Sequence, residues 1–255
     1  MNYSYRYYFD LLLALTQKEI KVRYKSSFLG YLWSIANPLS LALVFFLAFK
    51  VFMKIPIENY ALFLIAGLFP WQWFANSVVG SAGVYLGNAS LIKKINFPRE
   101  FPILALIFHD AFHFIASFPV ILLFLFIYKK HPSLEWLYGI PLLFIVHIGL
   151  TFSIALVVGS INIFFRDLER LISIFITFLF YFTPVIYSEE MIPTQYRAFI
   201  YINPIAPLIV SWRNLFLEGC FDFTKWFITL IYSILMLSVA YFIFNKLKWK
   251  FAEVI

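Results

Sequence analysis

Long apolar runs separated by short polar segments dominate the chain. Uncharged or nearly uncharged stretches occupy residues 26–49, 59–92, 101–128, 136–165, 171–188 and 226–245. A bilayer's hydrocarbon core, ~30 Å thick, takes about 20 apolar helical residues to cross, so the runs predict six membrane-spanning helices. Barrel strands would show segments of about ten residues alternating apolar and polar positions. These runs are apolar on every face, and the predicted fold is all-α.

Three segments depart from the pattern of simple spans. In "RYYFDLLLALTQKEIKVRYK", near the N-terminus, Phe9, Leu12, Leu13, Thr16, Ile20 and Tyr24 form one helical stripe, with Asp10, Lys18, Lys21 and Lys25 opposite. The pattern predicts an amphipathic helix in the membrane interface over residues 1–27, acting either as a surface anchor or as a docking element. Arg23 falls on its apolar side, where a long stem lets the charge snorkel to the headgroups. The second segment, "KKINFPREFP" at 93–102, packs Lys93, Lys94, Arg99 and Glu100 between two spans, and Pro98 and Pro102 prevent a continuous helix there. From the residues alone it reads as a basic topogenic loop. The third, 189–223, is apolar but interrupted by Arg197, Pro204, Pro207, Arg213 and Gly219, so two short helices that enter the membrane and return are expected. Irregular backbone at membrane depth needs protein or water to satisfy it, which places this segment over the outer end of a pathway.

Composition agrees with the pattern. The 255 residues are 63% hydrophobic and only 13% charged, against about 25% charged in soluble domains. What remains outside the spans is too small for a soluble domain, so residues 1–255 form a single transmembrane domain, and the N-terminus lacks the pattern of a cleaved signal peptide. Thirteen of the 20 basic residues fall on the side of the N-terminus, which puts both termini in the cytoplasm. The net charge of +7 is then a matter of topology and gives no reason to invoke nucleic acid. A single cysteine, Cys220, excludes an intrachain disulfide and any cysteine-based metal site.

Candidate chemistry is sparse. "FHDAFHF" places His109, Asp110 and His113 in the third span, where an ionisable residue suggests function; a structural polar contact is favoured over a proton relay. Gly83 and Gly87 form a G-x-x-x-G that would permit close helix contact. The chain has no P-loop, H-E-x-x-H or G-x-S-x-G sequence, so it is not read as an enzyme, and energy for any work comes from elsewhere.

The ordered segments "VRYKSSFLGYLWSIANPL", "LFLIAGLFPWQWFANSV", "NASLIKKINFPREFP", "FRDLERL", "TPVIYSEEMIP" and "YINPIAPLIVSWRNLFLEG" resemble the membrane (permease) subunit of ABC-2 type polysaccharide exporters, the family of O-antigen and teichoic acid exporters. The resemblance covers nearly the whole chain. It implies a homodimeric channel in the bacterial inner membrane, served by two copies of a separate ATPase subunit that carries the ATP and Mg, with no cofactor on this chain. It makes the 88–101 loop the coupling segment, with Lys18, Lys21, Lys93, Lys94, Arg99 and Glu100 facing the ATPase. The implied substrate is a glycan on a lipid pyrophosphate. Sugar rings pack on aromatic faces, which nominates Tyr31, Trp33, Trp71, Trp73 and Phe74 for the channel, and Arg23 and Lys25 for the pyrophosphate. Exporters of drugs or lipids would share this architecture, and a proton-coupled carrier would instead depend on Asp110.

Overall fold

The computed structural model describes residues 5–24 and 30–254, the side chains of Arg23, Tyr24, Tyr31 and Ser34 excepted. Every regular element among the described residues is helical. Helix α1 spans Tyr5–Tyr24. Helix α2, Trp33–Phe45, continues without a break into a π-helical stretch, Phe46–Phe52. Helix α3 is Tyr60–Gly87, α4 the short Ala89–Lys94, α5 Phe101–Ala116 and α6 Phe118–Ile127. There follow α7 (Trp136–Asn162), α8 (Leu168–Phe182), α9 (Thr194–Ile200), α10 (Ile205–Leu217), α11 (Phe223–Leu247) and the final turn α12 (Phe251–Val254).

Five stretches are long and apolar enough to cross a membrane: Ile35–Phe52, Tyr60–Gly87, Phe101–Ile127, Trp136–Asn162 and Phe223–Val254. They match five of the six predicted spans. The sixth candidate, over 171–188, forms only the 15-residue helix α8, about 22 Å at 1.5 Å per residue. Its end has a local cause. Thr183 precedes Pro184, whose ring disfavours a helical conformation at the preceding residue, and Thr183 is extended with φ −103° and ψ 134°.

Two other runs break where the sequence read them as continuous. In the third, Pro119 has no N–H to offer Ile115, so the helix breaks at Ser117, which separates α5 from α6. In the second, the chain turns at Asn88, whose side chain folds back to donate to the Val84 carbonyl at 2.9 Å.

Helix α3 is the hub, packed by α2, α5, α7, α8 and α10, while α11 lies along α7. Close approach is set by Gly159 of α7, where a Cβ would lie 2.9 Å from the Ser81 carbonyl oxygen of α3. Gly83 and Gly87 do not serve this purpose: a Cβ on either would meet nothing within 4 Å. At the far end of α7, Asn162 donates to the Ala82 carbonyl at 2.8 Å and accepts from the Glu169 N–H at 3.1 Å, joining α7, α3 and the start of α8.

Candidate functional site

The polar face of the molecule is built around Asn88. Buried at 5% exposure, its side-chain oxygen accepts from the Lys18 ammonium at 2.6 Å. This bond ties α1 to the corner between α3 and α4. Helix α1 lies along α5, with Leu15 buried and Phe9 and Leu13 exposed, so part of the predicted apolar stripe points away from the protein.

Beyond the corner, Ile92 and Phe97 are buried anchors, and between them Lys93, Lys94 and Ile95 are exposed. Arg99 folds onto its neighbour, with the guanidinium 5.2 Å from the Phe97 ring centroid, and partial burial lowers its pKa from the ordinary value. The Glu100 carbonyl accepts from the Ile103 and Leu104 N–H groups at the start of α5. Of the six residues nominated for coupling, Lys21, Lys93 and Lys94 project from the surface, whereas Lys18, Arg99 and Glu100 are engaged within the chain or partly covered by it.

The channel nominations divide differently. Trp33 is exposed at 44%, but Trp71, Trp73 and Phe74 are buried at 5%, 2% and 0%. Trp73 stacks on His147 with ring centroids 3.8 Å apart and donates to the Ile107 carbonyl at 3.1 Å. Trp71 packs on Phe180 at 5.5 Å. These three rings are core of the chain, because they lie on the covered side of α3, away from the open stripe that includes Asn76, Gly80 and Gly87. Lys25 lies outside the described residues, as do the side chains of Arg23 and Tyr31.

Asp110 and His109 are buried, and a hydrogen-bonded line runs through them: the Ser77 hydroxyl donates to Asp110 Oδ2 at 2.8 Å, His109 Nδ1 meets Asp110 Oδ1 at 3.0 Å, and His113 Nε2 meets His109 Nε2 at 3.0 Å. The line joins α3 to α5, as a structural contact would.

Within 189–223, helix α10 is buried against its neighbours, whereas most of α9 is exposed. Arg213, 4% exposed, lies over the Phe63 ring at 3.8 Å and donates to the Val185 carbonyl at 2.8 Å and also to that of Pro184. It fits because residue 67 is glycine: a Cβ there would stand 2.6 Å from the guanidinium. Trp212 donates to His147 Nδ1 at 3.1 Å. The Asn203 amide reaches Thr183 Oγ1 at 2.8 Å, and the Tyr232 hydroxyl donates to the Tyr201 carbonyl at 2.8 Å.

Residues 10–217 match the family model of the ABC-2 type transporter. The chain belongs to that family. It is 47% identical, over 100% of its own length and 98% of the relative's, to an O-antigen export system permease protein RfbA of Klebsiella pneumoniae. It is 31% identical to the RfbA permease of Myxococcus xanthus over 98% of this chain and 96% of that one. With the polysialic acid transport protein KpsM of Escherichia coli the identity is 22% over 81% of each chain.

For an ABC-2 membrane chain, the notable surface that sequence reasoning missed is on α8. Leu171, Ile174, Phe175, Phe178, Tyr181 and Phe182 are all more than half exposed, while Ile176 and Phe180 are buried at 7% and 8%. The spacing is a helical stripe on the apolar side of α8, whose polar positions Glu169, Ser173 and Thr177 follow a stripe of their own, so polarity would have assigned the exposed rings to the interior.

Proposed function

We propose that this ABC-2 chain is the transmembrane subunit of an ATP-driven exporter that moves lipid-linked polysaccharide from the cytoplasmic leaflet to the outer side of the inner membrane. The observation that carries the reading is the 47% identity to an O-antigen export permease across the full length of both chains. Two copies enclose the path, and two copies of an ATPase subunit, which hold the ATP and Mg, bind at the cytoplasmic face against α1 and the 88–101 loop.

The topology proposed has six crossings, both termini cytoplasmic, and α8 as the short fifth. Support comes from where the two ends of this crossing meet α3. The start of α8 is joined to α3 near Ala82 through Asn162, and beyond its other end the Ile186 carbonyl accepts from the Tyr60 hydroxyl at 2.9 Å. Tyr60 and Ala82 are about 33 Å apart along a helix rising 1.5 Å per residue, enough to traverse the ~30 Å hydrocarbon core. A turn over 183–187 carries the chain from the end of α8 to this contact.

The 189–223 segment is proposed to re-enter from the outer side. Tyr201 accepts from a residue of α11 nine positions past its start, and Arg213 lies beside Phe63 and Gly67 in the first two turns of α3. Both positions are below the helix ends. The exposed aromatic stripe of α8 and Trp33 then offer rings to the sugar faces, and α1 rests in the cytoplasmic interface.

The test is depletion of the protein in its host, followed by location of lipid-linked polysaccharide across the inner membrane. Accumulation on the cytoplasmic face is the expected result. Unchanged surface glycan in a host without a second exporter would refute glycan export.

A further inference from the structure

Between α2, α3 and α6 lies an apolar slot of about 390 Å³, at the end of the bundle where α3 begins and α6 finishes. One wall is Leu39, Ala42, Leu43 and Phe46 and another Ala61, Leu64 and Ile65, with Phe124 and Tyr128 completing it. Along α2 the lining positions follow the spacing of one helical face, so the slot runs parallel to the helix for about 10 Å. Among the described lining residues, the only side-chain polar atom is the Tyr128 hydroxyl. The next residue, Lys129, is exposed and adopts a left-handed turn with φ 55°. The slot also ends where α2 becomes π-helical at Phe46, and such local widening of a helix recurs at functional sites.

We propose that this slot binds one acyl chain of an anionic phospholipid, with the lipid phosphate drawn to Lys129. A single hydrocarbon chain is thin enough to lie lengthwise in the slot. The lining offers almost nothing to a polar ligand, and burying one without hydrogen bonds would be costly. A chain entering from the bilayer keeps its surroundings apolar while filling a gap that would otherwise forfeit van der Waals contact. The positive charge beside Tyr128 supplies the preference for an anionic headgroup.

The test uses the full chain in nanodiscs of mixed phosphatidylglycerol and phosphatidylcholine, with either lipid carrying a photoreactive diazirine midway along an acyl chain. Adducts are mapped by mass spectrometry. The expected result is labelling by phosphatidylglycerol concentrated on 39–46, 61–65 and 124–128 relative to exposed α11 side chains such as Leu235 and Phe242. Ala61→Phe, which fills the slot, should reduce labelling there to the α11 level, and Lys129→Glu should abolish the preference for phosphatidylglycerol. Equal labelling of the slot and α11 in the unaltered protein overturns the site, whatever the variants do. Equal labelling by both lipids overturns the role of Lys129. Efficient disulfide formation between two copies through Leu43→Cys, with lipid labelling absent, would assign the slot to a second chain instead.

Discussion

The Lys18 ammonium donates to the Asn88 side-chain oxygen at 2.6 Å, joining two segments 70 residues apart at the corner where α3 gives way to α4. A residue that the sequence assigns to a partner surface is thus engaged inside the chain. With the Lys18 side chain 39% exposed, the bond is expected to contribute about 1 kcal/mol after solvent screening. Lys18→Met and Asn88→Leu should each lower substrate-dependent ATP turnover of the assembled exporter, and the double variant should be no worse than the poorer single one. Additive losses would show that the two residues act separately.

Charge reversal at Lys93 and Lys94 is expected to behave differently. Both side chains are exposed, so Lys93→Glu with Lys94→Glu should leave thermal unfolding of the purified chain unchanged while lowering ATP turnover in the presence of substrate. If turnover is unaffected, the loop has no part in transmission.

Arg213 makes a sharper prediction about stability. Arg213→Met removes two hydrogen bonds to carbonyls and the contact with Phe63, an expected loss of about 2–4 kcal/mol because buried acceptors are left without a donor. Thermal unfolding in detergent measures it. A shift no larger than that of an exposed substitution such as Arg170→Met would contradict the role given to Arg213.

Helix packing can be probed at Gly159. Its Cβ would meet a backbone oxygen of α3 at 2.9 Å, and backbone cannot swing aside as a side chain can. Gly159→Ala should therefore destabilise by about 1–3 kcal/mol, whereas Gly83→Ala, with open space around it, should be neutral or slightly stabilising through helix propensity. Comparable losses at both positions would argue against the packing described.

Asp222 gives a pH dependence. Burial raises its carboxyl pKa, but hydrogen bonds and charge from Lys225 outweigh this and hold the pKa below the ordinary value. Its side chain caps α11, accepting from the Lys225 N–H at 3.0 Å and from the Lys225 ammonium at 2.7 Å. A pKa depressed by folding contributes stability above the unfolded value, near 3.9 for Asp, and the contribution is lost as pH falls through the folded value. Asp222→Ala should cost about 1 kcal/mol at pH 7 and progressively less below pH 4. A cost that does not change between those pH values would remove the charge from the account.

The sequence by itself determined the class of molecule. Apolar length picked out the five segments long enough to cross a bilayer, because hydrocarbon offers no partner to a bare backbone, but also 171–188, which forms only the 15-residue α8; within the proline-broken basic segment the helix is interrupted over 95–100. The ordered motifs were enough to indicate the ABC-2 family. What the tertiary structure alone decided is which face of each apolar helix is covered. In a chain that is 63% hydrophobic, polarity no longer separates inside from outside, so Trp71, Trp73 and Phe74 read as channel candidates but are core. The exposed rings of α8 lie on the apolar side of that helix, which polarity would assign to the interior. Arg213 was legible as an interruption, yet its burial depends on Gly67 and two carbonyls more than 25 residues away. Contacts between segments so distant in sequence are set by packing geometry, which no local pattern records.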